Sequence, residues 1–171
     1  GGNGCHQATS LLLPQRRQRV SGRGGGIEAK DAIQRTLRER FPNGSVIFLD
    51  IERMQATPQK MREYYRAWTA HVLADGRYRP GFYAHTHNAA LIHRDVKAVY
   101  AAAGRAEEPP FWIAGGRDFT PDKQPHEVGH SFAAVWQGVL DVVQEWNGHR
   151  LPIDVNVAQV PDPSHQFVAS D

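Results

Sequence analysis

The chain has 171 residues, of which 40% are hydrophobic and 22% charged, with a formal net charge of +2. That is enough for one domain with a real core, and so small a net charge excludes the strong electrostatic footprint of a nucleic-acid-binding protein. One cysteine, Cys5, rules out an internal disulfide framework, and no apolar run is long enough to span a membrane.

Residues 1–26 are rich in glycine and arginine and reach Glu28 before meeting an acid. Arg16, Arg17, Arg19 and Arg23 crowd this stretch, which reads as a basic tail or linker. From Ile27 the pattern becomes α/β. Ala29, Ala32, Ile33 and Leu37 share one helical face, and Pro42-Asn43-Gly44 stops that helix. Val46 to Leu49 then reads as a strand buried on both faces, ending in Asp50 and Glu52. Thr57-Pro58 supplies an N-cap and a first-turn proline. The helix that follows carries Met61, Tyr64, Tyr65, Trp68, Val72 and Leu73 and ends near Asp75-Gly76. Pro80 to Ala84 is the next strand. Asn88 is expected to cap a helix bearing Leu91, Ile92, Val96, Val99 and Tyr100. Phe111 to Ala114, Phe132 to Gln137 and Ile153 to Ala158 read as further strands, and Asn147-Gly148 suits a hairpin between Leu140–Trp146 and His149–Val157. Strands alternating with helices imply βα units and a mainly parallel sheet.

Four constellations could carry chemistry. Asp50 and Glu52, at i and i+2 of one strand, point the same way roughly 6.6 Å apart. Asp154 belongs to the last strand, in PIDVNVA. Acids at the ends of separate parallel strands converge, and glycoside hydrolysis needs one protonated carboxyl and one ionised carboxylate. Repulsion between the acids raises one pKa. The plainer reading is an aspartate that caps a helix or pairs with arginine. Tyr83, Trp112 and Trp136 offer flat faces to sugar rings, with Gln137 and Asn156 as partners for hydroxyl or acetamido groups; alternatively the aromatics fill the core. His126 to His130, HEVGH, fits the H-E-x-x-H zinc signature with Glu127 as base, but Pro125, Gly129 and the lack of a third ligand at a familiar spacing speak against it. His85 and His87, with His93, form a partial ligand set or a group of polar surface histidines.

The order of these pieces resembles the glycoside hydrolase family 25 lysozymes, and more closely the related glycoside-hydrolase-like domains of unknown function in bacterial exported proteins. The resemblance runs from about Ile27 to Ala158. It rests on the apolar strand ending in D-x-E, then YYRAW, PGFYAHT, FWIAGG, AVWQ and IDVNVA in that order. It implies a (β/α) barrel that cuts β-1,4 bonds in peptidoglycan, with Glu52 as proton donor, Asp50 as its acidic partner and Asp154 as the acid of the last strand. Tyr83, Trp112 and Trp136 would line the cleft. The family's opening strands carry a further active-site Asp, and no such pattern precedes the Ile27 helix here, so the chain is expected to be N-terminally truncated.

The expectation is an α/β fold, a partial (β/α)8 TIM-type barrel with its first strands missing. The tail spans 1–26, the barrel portion 27–160 and a C-terminal tail 161–171. Its function would be acid-catalysed cleavage of a cell-wall glycan by Glu52, Asp50 and Asp154, with Tyr83, His85, Trp112, Trp136, Gln137 and Asn156 binding substrate. The alternatives are a non-catalytic glycan-binding module of the same fold and a zinc-dependent hydrolase using HEVGH. The expected partner is a polysaccharide or peptidoglycan, outside the cell or at its wall. No metal, no cofactor, no nucleic acid and no membrane insertion are called for.

Overall fold

The computed structural model describes residues 20–164. Helix α1 (Gly22–Arg38) starts at Gly22, with the Ser21 side chain accepting from the Gly24 amide at 3.1 Å. Glycines 22 and 24–26, which read as linker in the sequence, are therefore helical. The reason is tertiary. A Cβ on Gly25 would lie 2.1 Å from the Tyr64 carbonyl oxygen, so only glycine lets α1 sit this close to the next helix. Ala29, Ala32 and Ile33 are buried as their spacing predicts, whereas Leu37 is 43% exposed.

Strand β1 (Val46–Ile51) is buried except at Asp50, which is half-buried. Helix α2 (Gln59–Asp75) is capped by Pro58, so that proline lies one residue outside the helix, and Gly76 in the left-handed region ends it. Strand β2 (Arg79–His85) leads straight into α3 (Thr86–Ala102), whose N-cap is His85. Asn88 is not the cap. Its Nδ2 donates to the Met54 carbonyl and to Thr57 Oγ1, and its Oδ1 accepts from the Met54 amide, so it pins the loop that leaves β1. Strand β3 (Phe111–Ala114) is followed by a short 3-10 turn (Pro125–Val128), then β4 (Ala133–Trp146) and β5 (His149–Ala158).

The sheet order is β1-β2-β3-β4-β5; the first three pairs are parallel and β4–β5 is antiparallel. This corrects the barrel expectation. Among the described residues the sheet is open, ending at β1 on one side and β5 on the other, and the α/β alternation stops after β3. The segment between β3 and β4 contains Gly115, Gly116, Pro121, Pro125 and Gly129, which leave no room for an α-helix. The chain crosses from β3 to a parallel β4 through this segment and then turns back by a hairpin into β5, with Asn147 and Gly148 both at positive φ at its turn. Among the described residues a mixed sheet of five strands with three α-helices is the result, not a parallel alternating barrel.

The sheet has two unlike faces. Ile47, Leu49, Ile51, Phe82, Ala84, Phe111 and Ile113, every second residue, join the helices in one core. Between α2 and α3 the buried Asp95 carboxylate accepts from Arg62 Nε and Nη2 at 2.8 and 3.0 Å, from Arg66 at 2.7 Å and from the Tyr65 hydroxyl at 2.6 Å. The alternate residues, Phe48, Asp50, Tyr83, His85, Trp112 and Ala114, belong to the other face. Beyond β5 the chain returns to β1, where the Val46 amide donates to the Ser164 carbonyl at 2.7 Å.

Candidate functional site

The helix-free face gathers most of the polar and aromatic residues singled out by the sequence. Asp50 pairs in register with Tyr83, and Tyr83 with Trp112, so adjacent strands bring the three side by side. Trp112 sits edge-on to both Tyr83 and Phe48, with ring centroids at 5.6 and 5.8 Å. The Tyr83 hydroxyl donates to Gln137 Oε1 at 2.6 Å, and Gln137 Nε2 donates to Asp154 Oδ2 at 2.7 Å. The other Asp154 oxygen accepts from the Asp141 amide at 3.0 Å. Trp112 Nε1 donates to Asn156 Oδ1 at 3.0 Å, which ties β3 to β5.

Asp154 reaches this face through the hairpin that Asn147-Gly148 suggests. It lies on a strand antiparallel to its neighbour, not at the end of a parallel one. The return of β5 places Asn156 opposite Gln137, and register shifts in the hairpin leave Asp154 facing the stretch between Val139 and Val142. Asp141, within that stretch, takes φ 55° and turns its amide onto the carboxylate. This backbone role of Asp141 was not legible in the sequence, because a non-glycine residue in the left-handed region carries no reliable signature.

The electrostatics single out Asp50. Burial, then the charge of Glu52, pushes its pKa up to about 6. The Tyr83 hydroxyl is shifted upward by burial and then by the charges of Asp50, Glu52 and Asp154. All three carboxylates thus act on one hydroxyl, although Glu52 lies just past β1 and is exposed. His85, two residues beyond Tyr83, is half-buried and shifted downward by burial, then by Arg53 and His87. Its ring fits against Gly115, where a Cβ would come within 2.9 Å of it.

Trp136 is set apart from the group. It neighbours Gln137 in β4 and so faces the opposite way. It is fully buried, donates from Nε1 to the Gly115 carbonyl at 2.6 Å and meets Phe119 edge-on. The HEVGH segment also differs from the zinc pattern. His126 and Glu127 lie in a 3-10 turn, and Gly129 at positive φ breaks it before His130. Glu127 Oε2 accepts from the Gln124 amide in a capping box. His130 Nε2 contacts the hydroxyl and carbonyl of Thr86 at 2.9 and 3.1 Å. Two histidines one α-helical turn apart, as the zinc signature requires, are not formed. Among the described residues no group of three or more His, Cys, Asp or Glu side chains could hold a metal ion, and no helix is long and apolar enough to cross a membrane.

No curated protein matches the chain. A crystal structure of an uncharacterized B. stearothermophilus protein matches with a TM-score of 0.63 and 25% sequence identity, covering 84% of this chain and 66% of that one. The chain therefore spans just under two thirds of that protein's length. The family model described as "Rv2525c-like, glycoside hydrolase-like domain" matches residues 9–158. With that match extending over most of its length, the chain belongs to the Rv2525c-like family of glycoside-hydrolase-like domains.

Proposed function

We propose that this domain cleaves a β-1,4-linked glycan of the bacterial cell wall by acid-assisted hydrolysis, in the manner of the family 25 lysozymes its sequence resembles. The observation that carries the reading is the pairing of Asp50 with Glu52. Burial and a neighbouring carboxylate lift Asp50 to about 6, so the pair retains a proton under weakly acidic conditions. Glycoside hydrolysis requires that proton for the leaving oxygen, together with an anion to stabilise the cationic transition state. Asp50 holds the proton of the pair; Glu52, exposed beyond the strand and matching the donor of the family it resembles, passes it to the leaving oxygen; Asp154, accepting N–H bonds on both oxygens, is the anionic member. Trp112 and Tyr83 supply the apolar surface for a sugar ring. The working location is the cell wall or the space outside the cell.

The test is release of reducing ends from purified peptidoglycan by the 171-residue chain, compared with Glu52→Gln. Cleavage by the parent and none by the variant is the expected result. Binding without cleavage by the parent, unchanged in Glu52→Gln, would establish a glycan-binding module instead. An activity lost in Glu127→Gln and kept in Glu52→Gln would return the zinc reading.

A further inference from the structure

We propose that Gln137 is a positioning residue, an amide strut that couples Asp154 to Tyr83 and leaves the Tyr83 hydroxyl on the helix-free face as an acceptor only. The catalytic consequence rests on the glycosidase reading above; the strut itself rests on hydrogen-bond chemistry. An ionised carboxylate accepts and never donates. The Gln137 atom 2.7 Å from Asp154 Oδ2 is therefore its NH2 group, and the atom 2.6 Å from Tyr83 is its carbonyl oxygen. A carbonyl oxygen cannot donate either, so the tyrosine proton must lie on the line to Gln137. Each link determines the sense of the next, and the chain has one orientation while Asp154 is charged.

The geometry around the strut holds it in place. Gln137 is 6% exposed, so its amide has little water to exchange partners with. The strut runs from β2 to β5 over β3, where the residue beside Gln137 is Ala114, whose small side chain leaves the crossing open. Trp112, standing edge-on to the Tyr83 ring, restrains the hydroxyl's direction. The sequence suggested that Gln137 binds substrate directly. With its carbonyl held by Tyr83 and its amide by Asp154, it instead decides what Tyr83 can bind: a ligand hydroxyl or N–H, never a ligand carbonyl.

The discriminating experiment uses the full chain labelled with [13Cζ]tyrosine, whose ring carbon reports whether the hydroxyl donates or accepts. Asp154→Asn supplies a donor where there was only an acceptor, so the Gln137 amide is free to turn over and Tyr83 with it. Gln137→Met keeps the length of the side chain and removes both polar atoms. The Tyr83 resonance is expected to move in both variants while those of Tyr64, Tyr65, Tyr78 and Tyr100 stay in place. A Tyr83 resonance unmoved by Asp154→Asn, or moving only together with the other four, overturns the proposal. On peptidoglycan, Gln137→Met is expected to lower kcat about 10–100-fold, the scale seen for outer-shell partners, with KM little changed. Parent protein that cleaves nothing refutes the glycosidase reading and leaves the resonance result standing by itself.

Discussion

Asp95 and Asp50 are the same residue in opposite settings. Asp95 lies between α2 and α3, where burial would raise its pKa but Arg62, Tyr65 and Arg66 hold it well below the usual carboxylate range. Asp50 lies on the helix-free face, where burial and Glu52 both act upward and bring it to about 6. One carboxylate is surrounded by donors and fastens two helices together. The other is placed against a second acid, which costs stability, and that cost is characteristic of groups kept for chemistry. The helix side of the sheet buries its carboxylate among donors, and the open side holds its carboxylate against another acid.

The comparison breaks most visibly if the reactive side is disarmed. Glu52→Gln is expected to reduce peptidoglycan cleavage by about 10²–10⁴-fold, the usual contribution of a general acid, with affinity for the glycan nearly unchanged. Steady-state rates and a pull-down on sacculi measure both.

On the structural side the largest effect belongs to Asp95→Ala. Removing one partner of a buried ion pair leaves the others uncompensated. The expected loss is about 3 kcal/mol, the low end for such deletions because Arg62 and Arg66 keep partial contact with water. Urea unfolding reads it. Since the folded pKa of Asp95 lies below its unfolded value, the stabilisation is present above that unfolded value and is lost as pH falls through the folded pKa. Gly25→Ala probes the same side by packing alone. The new methyl would collide with the Tyr64 carbonyl, at a cost of about 1–3 kcal/mol in the same assay.

The smallest effect has the opposite sign. Asp50 is raised from its ordinary 3.8 to about 6, so stability is complete below the unfolded value and is lost as pH climbs from roughly 4 to 6. Asp50→Asn removes that loss. The variant should be more stable than the parent by about 1–2 kcal/mol at pH 7, after discounting for solvent screening, and equal to it near pH 3. Its glycan cleavage should fall nevertheless, and a variant that gains stability while losing turnover is the expected mark of a functional carboxylate.

Much of this architecture was legible in the residues, and the reasons for the rest are physical. The runs Val46–Leu49 and Phe111–Ala114 are apolar enough to be strands in any context, and Asn147-Gly148 announces its hairpin. The Gly22–Gly26 turn of α1 was not legible, because Gly25 answers to the Tyr64 carbonyl and Gly26 to the His71 ring, both far along the chain. Nor was the parallel pairing of β4 with β3 across a connection that holds no α-helix, since an apolar strand carries no mark of its direction. The site was legible as a set of residue types, with Asp50, Tyr83, Trp112, Gln137, Asp154 and Asn156 meeting on one face. The face of Trp136 was not, because the reversal between Trp136 and Gln137 only acquires meaning once β4 is paired with β3. HEVGH matched by letters alone; the helix that would align its histidines is replaced by a 3-10 turn and a glycine.

The central claim is that Asp50 and Glu52 form a coupled pair that holds a proton on the helix-free face of the sheet. Its most direct test is a 13C NMR titration of the Asp50 carboxyl in the parent and in Glu52→Gln. The account predicts a midpoint near 6 in the parent, falling part of the way back in the variant, because burial, the larger cause, remains. A parent Asp50 that titrates as an ordinary aspartate, or a midpoint indifferent to Glu52, would contradict it.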